Sequence, residues 1–227
     1  MKIGRLLFAS AAVFAMSVLA SAANAVTVTI GFQQAGVNGG AITTVGSGAD
    51  TLVSTNGSYG TFTFNSVSAS GSGPNPFGDL LSSTAQNISS TTAGTFTVYI
   101  TSQDNSAPSG NLTFTSSLTS NVLPAGWTVT QSTLLDTGNG LFTGTTLASN
   151  AFNTAGTFVS SNSANTGGGL YSVTQIYTIV STGAGNALST INISAVPGPM
   201  VGAGLPGLLL ACGGLLVLAR RRRKVAI

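Results

Sequence analysis

The chain is 227 residues long, with 30 glycines, one cysteine, no histidine, and only 5% charged residues, against roughly a quarter in an ordinary globular domain. All seven cations lie at the ends, Lys2 and Arg5 at one and Arg220 to Lys224 at the other; between them the only charges are Asp50, Asp79, Asp104 and Asp136. A nucleic-acid surface needs Lys and Arg gathered on one face to neutralise phosphates, so that class of function is excluded.

Residues 1–25 read as a secretory signal. Lys2 and Arg5 give the positive start, Leu6 to Leu19 the apolar stretch, and Ala23-Asn24-Ala25 the small-x-small cleavage pattern. The stretch falls short of the about 20 residues that span a bilayer, which favours a cleaved signal over an anchor. Cleavage after Ala25 makes Val26 the mature N-terminus; Ala20-Ser21-Ala22 is a second, less favoured cut.

Residues 26–195 are rich in Ser and Thr, yet their apolar residues are ordered. Phe96, Val98 and Ile100 alternate with Thr95, Thr97, Tyr99 and Thr101, the period of a half-buried strand. The same period marks Val26 to Ile30, Thr61 to Phe64, Leu112 to Thr115, Trp127 to Thr130 and Leu170 to Val180. In the last of these Tyr171, Val173, Tyr177 and Ile179 share a face, and a short final strand carries Ile191 and Ile193 and ends at Ser194. Thr is β-branched and suits the wet face of a sheet, so its abundance favours strand over coil.

Turn residues separate these runs at Val37 to Gly40, Gly71 to Pro76, Ala107 to Gly110, Asp136 to Gly140 and Thr166 to Gly169. Short strands with such turns and no amphipathic helix predict one all-β domain, an antiparallel β-sandwich of Ig-like or jelly-roll-like form. Leu123 to Val129, Leu-Pro-Ala-Gly-Trp-Thr-Val, resembles a motif common in Ig-like domains of bacterial surface proteins.

Chemistry is scarce in this domain. Without His there is no His-based triad or imidazole metal site. Without Cys, Lys, Arg or Glu there is no thiolate nucleophile, Schiff base, phosphate clamp or Glu pair of the usual glycosidase kind. Cys212, far downstream, has no disulfide partner. Leu134-Leu135-Asp136-Thr137-Gly138 matches the signature of aspartic proteases, which need two carboxylates sharing a proton; it occurs once, so a dimer would have to supply the second. The competing reading is a turn in which Asp136 bonds its own backbone and Gly138 takes positive φ. Asp104, Asp136 and Asn139 are weak calcium candidates, because their oxygens suit that ion if their loops meet.

Residues 196–227 carry a second address. Val196-Pro197-Gly198-Pro199 precedes Met200 to Ala219, an uncharged stretch of spanning length, and then Arg220-Arg221-Arg222-Arg223-Lys224, cations that stay on the cytoplasmic side. This layout, with Gly202-Ala203-Gly204-Leu205-Pro206-Gly207 opening the apolar stretch, resembles the PEP-CTERM sorting domain of Gram-negative bacteria. Gly198 stands where the commonest motif has Glu. The resemblance implies recognition by an exosortase, a membrane transpeptidase, and release or attachment outside the cell.

The sequence thus predicts an exported, non-enzymatic protein of the cell surface or extracellular matrix. It would pass through an inner-membrane-anchored precursor, require no cofactor and be prone to self-association. The alternatives are a secreted glycan- or calcium-binding module, using exposed Tyr59, Tyr99 or Trp127 for glycans, and a dimeric aspartic protease built on Asp136.

Overall fold

The computed structural model describes residues 26–49, 53–71 and 78–197. Residues 1–25 and 198–227 lie outside, and with them the signal helix, the C-terminal transmembrane helix and the basic cluster expected from the sequence. Most of the described chain is strand: β1 (Thr27–Gln33), β2 (Thr43–Ala49), β3 (Val53–Tyr59), β4 (Phe62–Gly71), β5 (Gly78–Ser90), β6 (Ala93–Asn105), β7 (Asn111–Val122), β8 (Thr128–Asp136), β9 (Thr145–Phe152), β10 (Gly156–Asn165), β11 (Tyr171–Thr182) and β12 (Gly185–Pro197).

The strands form two six-stranded sheets, in the order β2-β1-β6-β11-β8-β9 and β10-β7-β12-β5-β4-β3, and every pairing is antiparallel. The pairings β5–β12, β6–β11, β7–β10 and β8–β9 nest inside one another, so the second half of the chain is a long hairpin wound between the two sheets. That is how a jelly roll is wrapped. Alternation explains the packing: Val28, Ile30 and Phe32 on β1, Phe96, Val98 and Ile100 on β6, and Leu112, Phe114 and Leu118 on β7 are all buried in one contiguous core. Tyr171, Val173, Tyr177 and Ile179 share the buried face of β11 as the period predicts.

Four of the expected turns are found: a 3-10 turn at Asn38–Gly40 and the connections at 107–110, 136–140 and 166–169. The cluster after Gly71 falls outside the described residues. Two boundaries differ from expectation. Trp127 precedes β8 and is buried at the turn where its N–H meets the Pro124 carbonyl (3.1 Å). The last strand does not stop at Ser194; β12 runs to Pro197, with Val196 and Pro197 paired to Thr113 and Leu112, because β7 offers partners that far. Five strands lack a readable signal in the sequence. In β5, shifts of register against β12 bury the adjacent Leu80 and Leu81 together and break the alternation. β2, β3, β9 and β10 are sheet edges, largely polar on both faces.

Candidate functional site

The polar residues singled out by the sequence converge on one end of the β2-β1-β6-β11-β8-β9 sheet. β6 closes with Asp104 in the left-handed region (φ 64), and the β8–β9 connection holds Asn139 there too (φ 60), a conformation that Asn and Asp tolerate better than other side chains. The two bond reciprocally: Asn139 Nδ2 donates to Asp104 Oδ1 and the Asp104 N–H donates to Asn139 Oδ1, each at 2.8 Å. Thr27 Oγ1 donates to Asp104 Oδ2 (2.9 Å), and Gln103 Nε2 donates to the Asn139 carbonyl (2.8 Å). This latch lays residues 137–144 over the outer face of the sheet. There Ser172 Oγ donates to the Gly140 carbonyl, the Phe142 N–H donates to Thr101 Oγ1, and the Phe142 ring packs 5.6 Å from that of Tyr99.

Asp136 serves its own turn. Its Oδ1 accepts the Gly138 N–H at 2.7 Å and its carbonyl accepts the Asn139 N–H at 3.2 Å. The left-handed residue is Asn139 and not Gly138, which corrects the expectation for this turn, since the reciprocal pair with Asp104 fixes Asn139. A Cβ on Gly140 would stand 2.5 Å from Asp136 Oδ2, so the second oxygen also lies against the loop. Beside it a cleft of about 330 Å³ opens between β8, β9 and the end of β10, with Leu135, Gly144, Leu147 and Asn165 in its walls.

Of the calcium candidates, Asp104 and Asn139 are therefore brought together, with oxygens turned to each other's amides. Asp136 is turned to Gly138. No group of three or more acid, His or Cys residues suited to a metal occurs among the described residues. The aromatics considered for glycan stacking are not on an open face. Trp127 is 1% exposed, Tyr99 is covered by Phe142, and Tyr59 packs on Phe32 and Phe96 while its hydroxyl meets Thr43 Oγ1 (2.8 Å). Ala23, Ala25, Gly198, Pro199 and Arg220 to Lys224 lie outside the described residues; Val26 is buried just before β1, and Val196 and Pro197 close β12.

No family model matches the chain, and no curated protein matches it. Among solved structures it is similar to TmCBM61 in complex with beta-1,4-galactotriose, at 10% identity over 52% of this chain and 72% of that one, with a TM-score of 0.32. It is also similar to the enzymatically active domain of tailspike protein 4 of bacteriophage CBA120, at 16% identity over 64% of this chain and 19% of that one, with a TM-score of 0.32. A third neighbour is the structure of infectious bursal disease virus Gx strain, at 13% identity over 80% of this chain and 53% of that one, with a TM-score of 0.27. None of the three scores marks a shared fold.

Sequence reasoning missed a polar patch inside the sandwich. Gln131 on β8 and Gln175 on β11 point inward and are fully buried. Gln131 Nε2 donates to Thr133 Oγ1 (2.9 Å), but Gln131 Oε1 and both amide atoms of Gln175 meet no partner in the protein; nor does the buried Ser120 Oγ on β7. The signal was present in Leu170 to Val180, where position 175 falls between Val173 and Tyr177 on the inward face. Burial without partners costs about 1–3 kcal/mol per group, so these amides create a demand for water or another small polar molecule.

Proposed function

We propose that the protein is an exported, non-enzymatic β-sandwich displayed at the bacterial surface or in the extracellular matrix, delivered by a PEP-CTERM-like sorting tail. The observation that carries the reading is positional. Every cation lies within residues 1–5 or 220–224, and none in the domain between. Positive charge opposes translocation, so a chain arranged in this way is exported at its front and stopped at its back. The domain's own chemistry supports display over catalysis. The Asp136 carboxylate is committed to its turn, and the Asp104 carboxylate to a latch between β1, β6 and the β8–β9 loop. A glycan- or calcium-binding module remains the second reading, and the cleft beside Asp136 is the place it would use.

Fractionation of cells expressing the full chain, with mass spectrometry of both ends, tests the reading. The expected product is found outside the inner membrane, begins at Val26 and ends near Pro199. A chain that keeps Arg220 to Lys224 at the surface makes the tail an anchor only, and a chain that stays in the cytoplasm overturns export.

A further inference from the structure

We infer that β10 is the edge through which two copies of this chain pair, antiparallel, to continue one sheet across both molecules; the inference rests on the surface or matrix reading above and deepens it. Four strands end the two sheets, β2, β9, β10 and β3, and none of them carries a charge. Natural edges are guarded against pairing by charge, proline or bulges. At three of these edges the pairing to the neighbouring strand is broken by a bulge or irregularity. Register shifts interrupt β1–β2 between Ile30 and Gly31, β3–β4 between Thr55 and Gly57, and β8–β9 between Thr133 and Leu134.

The β7–β10 pairing has no such break. It runs without a shift from Gly156 opposite Ser120 to Asn165 opposite Asn111. A strand whose register is regular on one side presents a regular row of alternating N–H and C=O groups on the other, which is what an added strand requires. Residues 156–165 read Gly-Thr-Phe-Val-Ser-Ser-Asn-Ser-Ala-Asn, with no proline, and Val159 is 59% exposed on the outer face.

The occupant that fits best is a second β10. Two copies of one uncharged strand are self-complementary about a two-fold axis, and such an interface closes as a dimer. Charge selects the direction. Asp136 lies by the Asn165 end of the strand, across the cleft. Antiparallel pairing puts the two Asp136 carboxylates at opposite ends of a strand about 30 Å long, whereas parallel pairing would bring both to the same end.

The test uses the full chain carrying Cys212→Ala, which removes its one thiol, and a single cysteine scanned through Thr157, Val159, Ser161 and Ser163. Control cysteines go to Ser47 on β2, Ser58 on β3 and Ser149 on β9. Facing residues of an antiparallel pair come within disulfide range, so mild oxidation traps a paired dimer on a non-reducing gel. The expected result is a dimer band from the β10 positions, strongest at the one nearest the two-fold axis, and background at the controls. Adding Val159→Lys to the Ser161→Cys chain abolishes the band without shifting the thermal midpoint. Stronger bands from β2, β3 or β9 overturn the assignment to β10 and leave self-association standing. No band from any site, together with a monomer in sedimentation at every concentration, overturns both.

Discussion

The two flanks of the sandwich interior are filled by opposite means. Where β1 and β6 face β3 and β4, the space is closed by rings: Phe96 packs 5.1 Å from Phe32 and 5.1 Å from Phe62, with Phe64 and Tyr59 around them. Where β8 and β11 face β7, the inward positions include Gln131, Thr133, Gln175, Ser116 and Ser120, and at the far edges Phe152 and Phe158 meet across the gap. Both flanks are strands of the same period and nearly the same accessibility. The first gains from dispersion and apolar burial; the second buries amides whose hydrogen bonds the protein only partly supplies. Burial alone therefore does not say which flank holds the fold together.

The largest expected effect comes from removing the ring at the centre of the first flank. Phe96→Ala should cost about 3–5 kcal/mol, read from urea unfolding, because it leaves a cavity among four aromatic neighbours. A loss below about 1 kcal/mol would mean that the flank collapses to fill the space.

Alkaline titration comes next, and it reaches the boundary between the flanks. Burial pushes the Tyr177 hydroxyl up to about 12 from 10.0, against a smaller opposing effect of its 2.7 Å bond to Ser189, and burial pushes Tyr171 up as well. The folded state then keeps its protons where the unfolded state releases them. This stability is fully present below pH 10 and is lost as pH rises toward about 12, on the order of 3 kcal/mol from Tyr177 alone. Thermal midpoints measured across that window should fall, and Tyr177→Phe should flatten the slope. An unchanged slope would place the Tyr177 hydroxyl in water.

Asp104→Ala should cost about 1–2 kcal/mol, since it strips partners from Thr27 and Asn139 together. It should also raise hydrogen exchange selectively over residues 137–144. Uniform exchange across the sheet would argue against a local latch.

The smallest effects sharpen the contrast by sign. Gln175→Leu replaces an unpartnered amide on a buried face, so it should stabilise by about 1 kcal/mol, opposite to Phe96→Ala. If it destabilises instead, the amide is bonded to an ordered molecule inside the second flank. Asp136→Asn should change stability by less than about 0.5 kcal/mol, because Asn caps the same turn. Loss of a peptidase activity with that substitution would restore the protease reading.

How much of this was legible in advance follows from what period and composition can encode. Alternation marked β1, β4, β6, β7, β8, β11 and part of β12, whose inward faces are mostly apolar and whose outward faces are mostly Thr and Ser. It missed β2, β3, β9 and β10, because each of these edge strands carries only a few apolar residues toward the core, too few to make a sustained period. The turn at Asp136 was legible as a turn, but its left-handed residue was assigned to Gly138, since the partner that holds Asn139 there comes from 35 residues away.

By itself the sequence determined that the domain is all-β and antiparallel, because side-chain period and turn chemistry are local properties. It also determined that the domain lacks most catalytic side chains, because composition is independent of folding. Only the tertiary structure decided that Asp104 and Asn139 meet, that Tyr59, Tyr99 and Trp127 face inward or lie covered, and that two glutamines share the core. It alone decided which of four uncharged edges is regular. Those facts depend on pairings between distant segments of the wound hairpin, and register between strands is set by the whole packed interior and by no stretch of sequence alone.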